Sequence, residues 1–102
     1  MSVKLLQLNL KFSVSPDEYK QAVGPLAKEL AAVPGHRWTI WLMNEEDQEA
    51  GGIYLFEDET SLMGFLRGPI VASVSSNPAL SDITVKTFNV MEEQTTIAKG
   101  PV

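Results

Sequence analysis

The first strand is predicted by an alternation of apolar and polar residues over Val3 to Phe12. Side chains along a strand point alternately to opposite faces of the sheet, so residues of one parity share a face. The apolar positions of one parity are Leu6, Leu8, Leu10 and Phe12. The pattern therefore predicts a strand with one strongly apolar face.

A helix is predicted directly after this strand. In "SPDE", Ser15 is an N-cap residue, a proline takes the first helical position, and Glu18 completes a capping box. Apolar residues then recur at helical spacing from Tyr19 to Leu30. Pro25 cannot donate to the carbonyl one turn earlier, so a local kink is expected. The helix is predicted to end at the "VPG" sequence that closes on Gly35.

Both tryptophans of the chain fall in one short stretch, "GHRWTIWLMN", which runs from Gly35 to Asn44. The stretch follows a Pro-Gly pair, is rich in Trp, Ile and Thr, and is too short for an independent helix, which predicts a strand. Trp38 then shares a face with Ile40 and Leu42, whereas Trp41 lies on the other face.

The remainder of the chain is predicted to hold two more strands and a second helix. The acidic "NEEDQE" predicts a hairpin tip, and Gly51 to Phe56 the returning strand, whose double glycine indicates a bulge or a close backbone approach. Asp58 is predicted to cap a helix that ends at "RGP", with "IVASVSS" as a further short helical piece. Ile83 to Val90 is predicted to be the last strand, and the polar tail has no clear period.

The predicted order β-α-β-β-α-β is typical of an α+β, ferredoxin-like fold, a four-stranded antiparallel sheet with the helices on one face. Residues 1–102 are predicted to form a single domain with residues 91–102 as a C-terminal tail that contacts a partner. Two helices cover one face of the sheet, yet the second strand carries a large indole on each face. Burial of one such ring is worth on the order of 4–5 kcal/mol. A homodimer packed sheet against sheet is therefore expected to cover the other face.

Charge and composition restrict the partners. The net charge is −5 with eight scattered basic residues, which argues against a nucleic-acid partner. The chain has no cysteine and a single histidine, which excludes thiolate chemistry and metal sites that need several histidines. No apolar run reaches the length of a membrane span, so no membrane partner and a cytoplasmic location are expected.

Several side chains are candidates for chemistry, and each has a plainer alternative. His36 could act as a general base near neutral pH, or be a solvent-facing turn residue. Tyr54 could donate its phenol hydrogen to a substrate oxygen, or be an amphipathic core residue. If a pocket lies between the sheet and the helices, Trp38 is favoured as its aromatic wall, against a role in the core or interface.

Three further residues are candidates for substrate binding. Asn9 lies among apolar residues of the first strand, where its amide needs another side chain, a water or a ligand as partner. Phe56 shares the parity of the candidate tyrosine two residues earlier. Arg67 could hold an anionic oxygen or complement the dipole at the end of the second helix. The carboxylates of "NEEDQE" and "FEDE" indicate a solvated loop and a helix cap.

Two sequence blocks resemble a known family. "PGHRWTIW" followed by "EAGGIYLFEDETS" is similar to the YdhR family of small bacterial proteins, which are classed as monooxygenases within the dimeric α+β barrel superfamily. The resemblance covers Leu5 to about Val90, and "EAGGIYLF" is its most specific part. It implies a homodimer whose two sheets form a barrel, with the helices outside and a pocket in each subunit.

The resemblance also implies a function, namely a cofactor-independent monooxygenase that oxidises a small aromatic or phenolic substrate with dioxygen. In relatives with such activity the substrate supplies the electrons, so no cofactor and no metal are expected. Trp38 and Tyr54 would serve as wall and donor, with His36 or a bound water as base. The alternatives are a non-catalytic small-molecule-binding homodimer and another chemistry of the superfamily, such as isomerisation, decarboxylation or haem breakdown. Haem breakdown ranks low because His36 precedes a strand, whereas an axial histidine on a helix is expected.

Overall fold

The computed structural model describes residues 2–102, which form four strands and four helices. The strands are β1 (Lys4–Phe12), β2 (His36–Asn44), β3 (Glu49–Phe56) and β4 (Leu80–Asn89). The helices are α1 (Pro16–Ala31), α2 (Glu59–Leu66), α3 (Pro69–Ser76) and α4 (Glu92–Ile97). The prediction of β-α-β-β-α-β order is confirmed, with α3 added as the short helical piece after "RGP" and α4 in the tail.

The four strands form one antiparallel sheet in the order β2-β3-β1-β4. Helices α1, α2 and α3 pack on one face of it, as in a ferredoxin-like fold. The apolar residues predicted to share one face of β1 are the buried ones, because they lie between the sheet and these helices. They are Leu6, Leu8, Leu10 and Phe12. The largest fully buried side chains are Phe56, Leu6, Leu30, Leu55 and Leu62.

The predicted helix starts are confirmed in atomic detail. The Ser15 hydroxyl accepts from the Glu18 amide at 3.1 Å, and the Glu18 carboxylate accepts from the Ser15 amide at 3.4 Å. At the start of α2, the Asp58 carboxylate accepts from the Ser61 amide at 2.8 Å. Pro25 lies inside α1, which continues to Ala31.

The double glycine of β3 marks a close backbone approach. Gly51 has φ +153°, and a Cβ built on it would lie 1.9 Å from the carbonyl oxygen of Leu8 on the neighbouring strand β1. Only a residue without a side chain fits this contact. The double glycine thus gives the close approach, whereas the shift in the pairing of β2 with β3 lies between His36 and Trp38.

The tail after β4 returns over the sheet face opposite α1, α2 and α3. The indole Nε1 of Trp38 donates to the carbonyl oxygen of Pro101 at 3.0 Å. Leu55, which pairs with Trp38 across the strands, is completely buried on this face. The tail therefore covers the Trp38 end of the face, whereas Ile40 and Phe88 on the same face are 51% and 47% exposed.

None of the helices in residues 2–102 combines the length and the apolar character that a membrane span requires.

Candidate functional site

A cleft opens between α1 and the edge strand β2. Its volume is about 340 Å³, in the range of pockets for small ligands. We call it the α1–β2 cleft, and its lining residues are Tyr19, Lys20, Val23, Gly24, Ala27, Trp41, Leu42 and Met43. Lys20 is the one charged residue among them.

The cleft continues inward, beneath α1, as a narrow space that we call the inner slit. Tyr19, Val23 and Trp41 line both spaces, so the two adjoin each other. The slit has a volume of about 20 Å³, which is room for about one water molecule. Tyr54 and Phe65 are among the further residues that line the slit.

Trp41, and not Trp38, is the indole that lines the cleft. Directly paired residues of antiparallel strands share a face, and Trp41 pairs with Gly52 while Thr39 pairs with Tyr54. The expectation that Trp38 faces the helices is therefore wrong. The hairpin loop between β2 and β3 has four residues, and this length sets the register that puts Trp41 on the helix side.

Tyr54 was predicted as a candidate donor, and its side chain reaches the inner slit. The residue is 6% exposed, and its ring lies 5.2 Å from that of Phe65. The ring extends over Gly52, because a Cβ built there would lie 3.0 Å from the Tyr54 hydroxyl oxygen. Burial and then the neighbouring Tyr19 raise the pKa of Tyr54 to about 12. The hydroxyl therefore stays protonated at neutral pH and can donate a hydrogen bond.

Tyr19 is a site residue that sequence reasoning missed. Its position in the apolar stripe of α1 gave it the signature of a core residue, and its ring indeed stacks on Phe12 with centroids 4.9 Å apart. The side chain also lines both the cleft and the slit. Burial raises the pKa of its phenol. The sequence did contain one indication of this role, because a tyrosine takes the place of an aliphatic residue on the buried face of α1.

His36, the predicted base, lies outside the α1–β2 cleft. Its ring is edge-on to Phe56 at 5.8 Å, and its Nε2 lies 2.6 Å from the Thr39 hydroxyl oxygen. Burial lowers the pKa of His36, because the cationic ring loses hydration. Tyr54 extends over Gly52, away from the Phe56 end of the strand where His36 lies. The structure thus does not bring the two predicted catalytic residues together in the cleft.

The remaining candidates are dispersed. Asn9 lies on the opposite sheet face, beside a separate groove of about 330 Å³. Phe56 is fully buried in the core, and Arg67 is exposed at the end of α2. In residues 2–102, no group of three His, Asp or Glu side chains is placed to hold a metal ion. Tyr54, which lines the inner slit, is therefore the one sequence candidate that lies next to the cleft.

A larger groove of about 490 Å³ lies between the end of α1 and helices α2 and α3. Its lining is mostly apolar, and Glu29 is its one titratable residue. The α1–β2 cleft is smaller, but it leads to buried phenols. We take the cleft as the candidate site for that chemical reason.

Three comparisons relate this chain to known proteins. The family model described as "Putative mono-oxygenase ydhR" matches residues 5–101. No curated protein matches the chain. Among solved structures, a variant of SnoaB, a cofactor-independent oxygenase from Streptomyces nogalater, has a TM-score of 0.73 at 17% identity, covering 89% of this chain and 95% of that one.

Two further solved structures share the fold. A protein of unknown function from Nitrosomonas europaea has a TM-score of 0.72 at 21% identity, covering 89% of this chain and 91% of that one. The haem degrader MhuD from Mycobacterium tuberculosis has a TM-score of 0.65 at 15% identity, covering 85% and 95%. These likenesses establish the fold alone, whereas the family match spans almost the whole chain. The protein is thus a member of the YdhR family of mono-oxygenase-like proteins.

Proposed function

We propose that this protein is a cofactor-independent monooxygenase that oxidises a small aromatic or phenolic substrate with dioxygen. The observation that carries the proposal is the protonated Tyr54 hydroxyl at the inner end of a cleft lined by Trp41. Membership of the family and the likeness to an oxygenase described as cofactor-independent support it.

The reaction needs few protein groups. An anthrone-type substrate loses a proton to give an enolate, which transfers electrons to dioxygen. One oxygen atom becomes the new ring carbonyl, the other leaves as water, and the two hydrogens of the oxidised carbon supply the hydrogens of that water. The protein contributes a dry aromatic wall and a donor to the developing oxyanion. Trp41 in the cleft and Tyr54 in the inner slit are suited to these two tasks.

The base and the outlying candidates stay predictions. No carboxylate and no imidazole lines the cleft in residues 2–102, so a solvent water is the acceptor that we propose for the substrate proton. His36 as a base, and Trp38, Asn9, Phe56 and Arg67 as substrate contacts, are predictions on which the proposal does not depend. A substrate that is acidic by itself fits a cleft without a protein base.

We also propose a homodimer packed through the half-open sheet face. Ile40 and Phe88 are large apolar side chains, about half exposed on that face. A second copy would bury them and protect the edge strands. Sedimentation of the wild-type chain at micromolar concentration is expected to give a dimer, and Ile40→Glu is expected to shift it towards monomer. A monomeric wild-type chain would contradict this.

The enzymatic proposal is tested by oxygen uptake with a panel of anthrones and naphthols. Tyr54→Phe is expected to lower kcat by about 10²-fold, the usual cost of removing one oxyanion donor. Thr39→Val is the matched control, since it removes a hydroxyl from the same sheet face outside the cleft. Tight binding of the panel without any oxygen uptake would overturn the proposal in favour of a non-catalytic binding module.

A further inference from the structure

The geometry points to a two-phenol oxyanion site, in which Tyr19 and Tyr54 together bind the ionised oxygen of a hydroxyarene seated in the α1–β2 cleft. The inference rests on the same cleft as the proposed function and goes beyond it in two respects. It assigns a role to Tyr19, and it specifies that the ligand is held as its anion.

The first argument concerns the two hydroxyl groups. Tyr19 and Tyr54 are only 4% and 6% exposed, and neither hydroxyl makes a hydrogen bond within residues 2–102. Yet no side-chain oxygen in this part of the chain is both fully buried and without a partner. Each hydroxyl must therefore reach accessible space, and the inner slit is the space that both residues line. Two nearly buried phenols without a hydrogen-bond partner in residues 2–102 thus line one small space.

The second argument concerns what else lines the slit. Besides the two phenols, the indole of Trp41 is its one polar side chain, and that group is also a donor. The other side chains there are aliphatic or phenyl, as with Leu8, Leu30 and Phe65. The two hydroxyls reach accessible space but have no side-chain acceptor there, so the site is suited to a ligand that supplies acceptor electron pairs. An oxyanion supplies more of them than a neutral hydroxyl and forms stronger hydrogen bonds.

The third argument concerns size. The slit holds about one oxygen-sized group in its 20 Å³, whereas the outer cleft of about 340 Å³ can hold fused aromatic rings. A planar arene can therefore lie against Trp41 with a single oxygen directed inward to the phenols. Lys20, the one charged residue of the lining, stands at the outer cleft and adds a favourable potential for an anion.

The acid–base state of the two phenols is consistent with this arrangement. Burial raises the pKa of both tyrosines, and the neighbouring Tyr19 raises that of Tyr54 further. Both remain protonated donors at a pH at which an acidic hydroxyarene has already ionised. The proton thus resides on the protein phenols and the negative charge on the ligand.

The experiment measures the pKa of a bound probe, and it needs no turnover. The probes are nitrophenols and naphthols whose acid and anion forms differ in absorbance, titrated anaerobically with the full chain. The bound probe is expected to have its pKa lowered by about one unit, which is a tenfold preference for the anion. Tyr19→Phe and Tyr54→Phe should each reduce this shift, and the double variant should retain only the part that Lys20 and Trp41 supply.

Controls separate the role in binding from packing. Thr39→Val should leave the shift unchanged, because that hydroxyl lies outside the cleft beside His36. The methyl ether of each naphthol cannot ionise and accepts only a weaker hydrogen bond, so its affinity should fall much less than that of the naphtholate in both Tyr→Phe variants. Equal losses of ether and naphtholate affinity, an unshifted probe pKa, or a shift that survives Tyr19→Phe would each overturn the inference. A pKa shift without oxygen uptake under air would retain this site and refute only the oxygenase.

Discussion

Trp38 and Trp41, three residues apart on one strand, lie on opposite faces of the sheet and have different partners. Trp38 donates its indole hydrogen to the carbonyl oxygen of Pro101, under the returning tail. Trp41 pairs with Gly52 on the helix side and lines the cleft that leads to Tyr54. One indole is thus attached to the fold's own C-terminus, and the other is available to a ligand.

The two indoles should respond differently to truncation. Trp41→Ala is expected to weaken the binding of naphthols by about tenfold, because a favourable aromatic pair is worth about 0.5–1.5 kcal/mol beyond its buried area. Trp38→Ala is the matched control, with affinity kept within about twofold but a free energy of unfolding lower by about 1–2 kcal/mol. Ligand titration and urea unfolding measure both quantities. Reversed effects would contradict the placement of the cleft.

Alkaline stability should report the buried phenol. The pKa of Tyr54 is raised from 10.0 to about 12 in the folded chain, so between these values the unfolded chain ionises while the folded chain does not. The contribution of Tyr54 to the free energy of unfolding is complete below pH 10, and about 2–3 kcal/mol of it is lost as pH rises towards 12. Tyr54→Phe should therefore lose less stability than wild type over this window in urea unfolding. Parallel losses in the two proteins would contradict the burial of the hydroxyl.

The close approach at Gly51 should be intolerant of any side chain. A Cβ there would lie 1.9 Å from the Leu8 carbonyl oxygen, so Gly51→Ala is expected to destabilise the chain by about 3 kcal/mol or more. Gly64→Ala on α2 is the matched control, because nothing lies within 4 Å of its added methyl. It should stabilise the helix by about 0.5–1 kcal/mol. Thermal unfolding of both variants distinguishes the two positions.

His36 should affect acid stability more than activity. Burial lowers its pKa from 6.5, so its stabilising contribution is present above that value and is lost as pH falls below it. His36→Gln should reduce the loss of stability below pH 6.5 and retain most of the oxygen uptake of wild type. Urea unfolding and oxygen uptake across pH measure these effects. Loss of the acid limb of the activity profile in this variant would restore His36 as the base.

The elements of this fold were largely determined by local sequence. The alternation of β1, the capping box at Ser15 and the cap at Asp58 act through neighbouring residues, so they can be identified without the tertiary structure. α4 was not predicted, because its six residues lack an apolar stripe. The position of Tyr54 on a strand after the double glycine was also evident from sequence.

Tertiary structure decided which residues share the site. Parity separates Trp38 from Trp41, but it does not say which face the helices cover. That choice follows from the register of β2 on β3, which matches Trp41 with Gly52 and Thr39 with Tyr54. Tyr19 reaches the slit only because α1 packs over that face. Sequence fixes the order of side chains along each element, whereas the meeting of elements depends on long-range pairing and packing, for which no local pattern is sufficient.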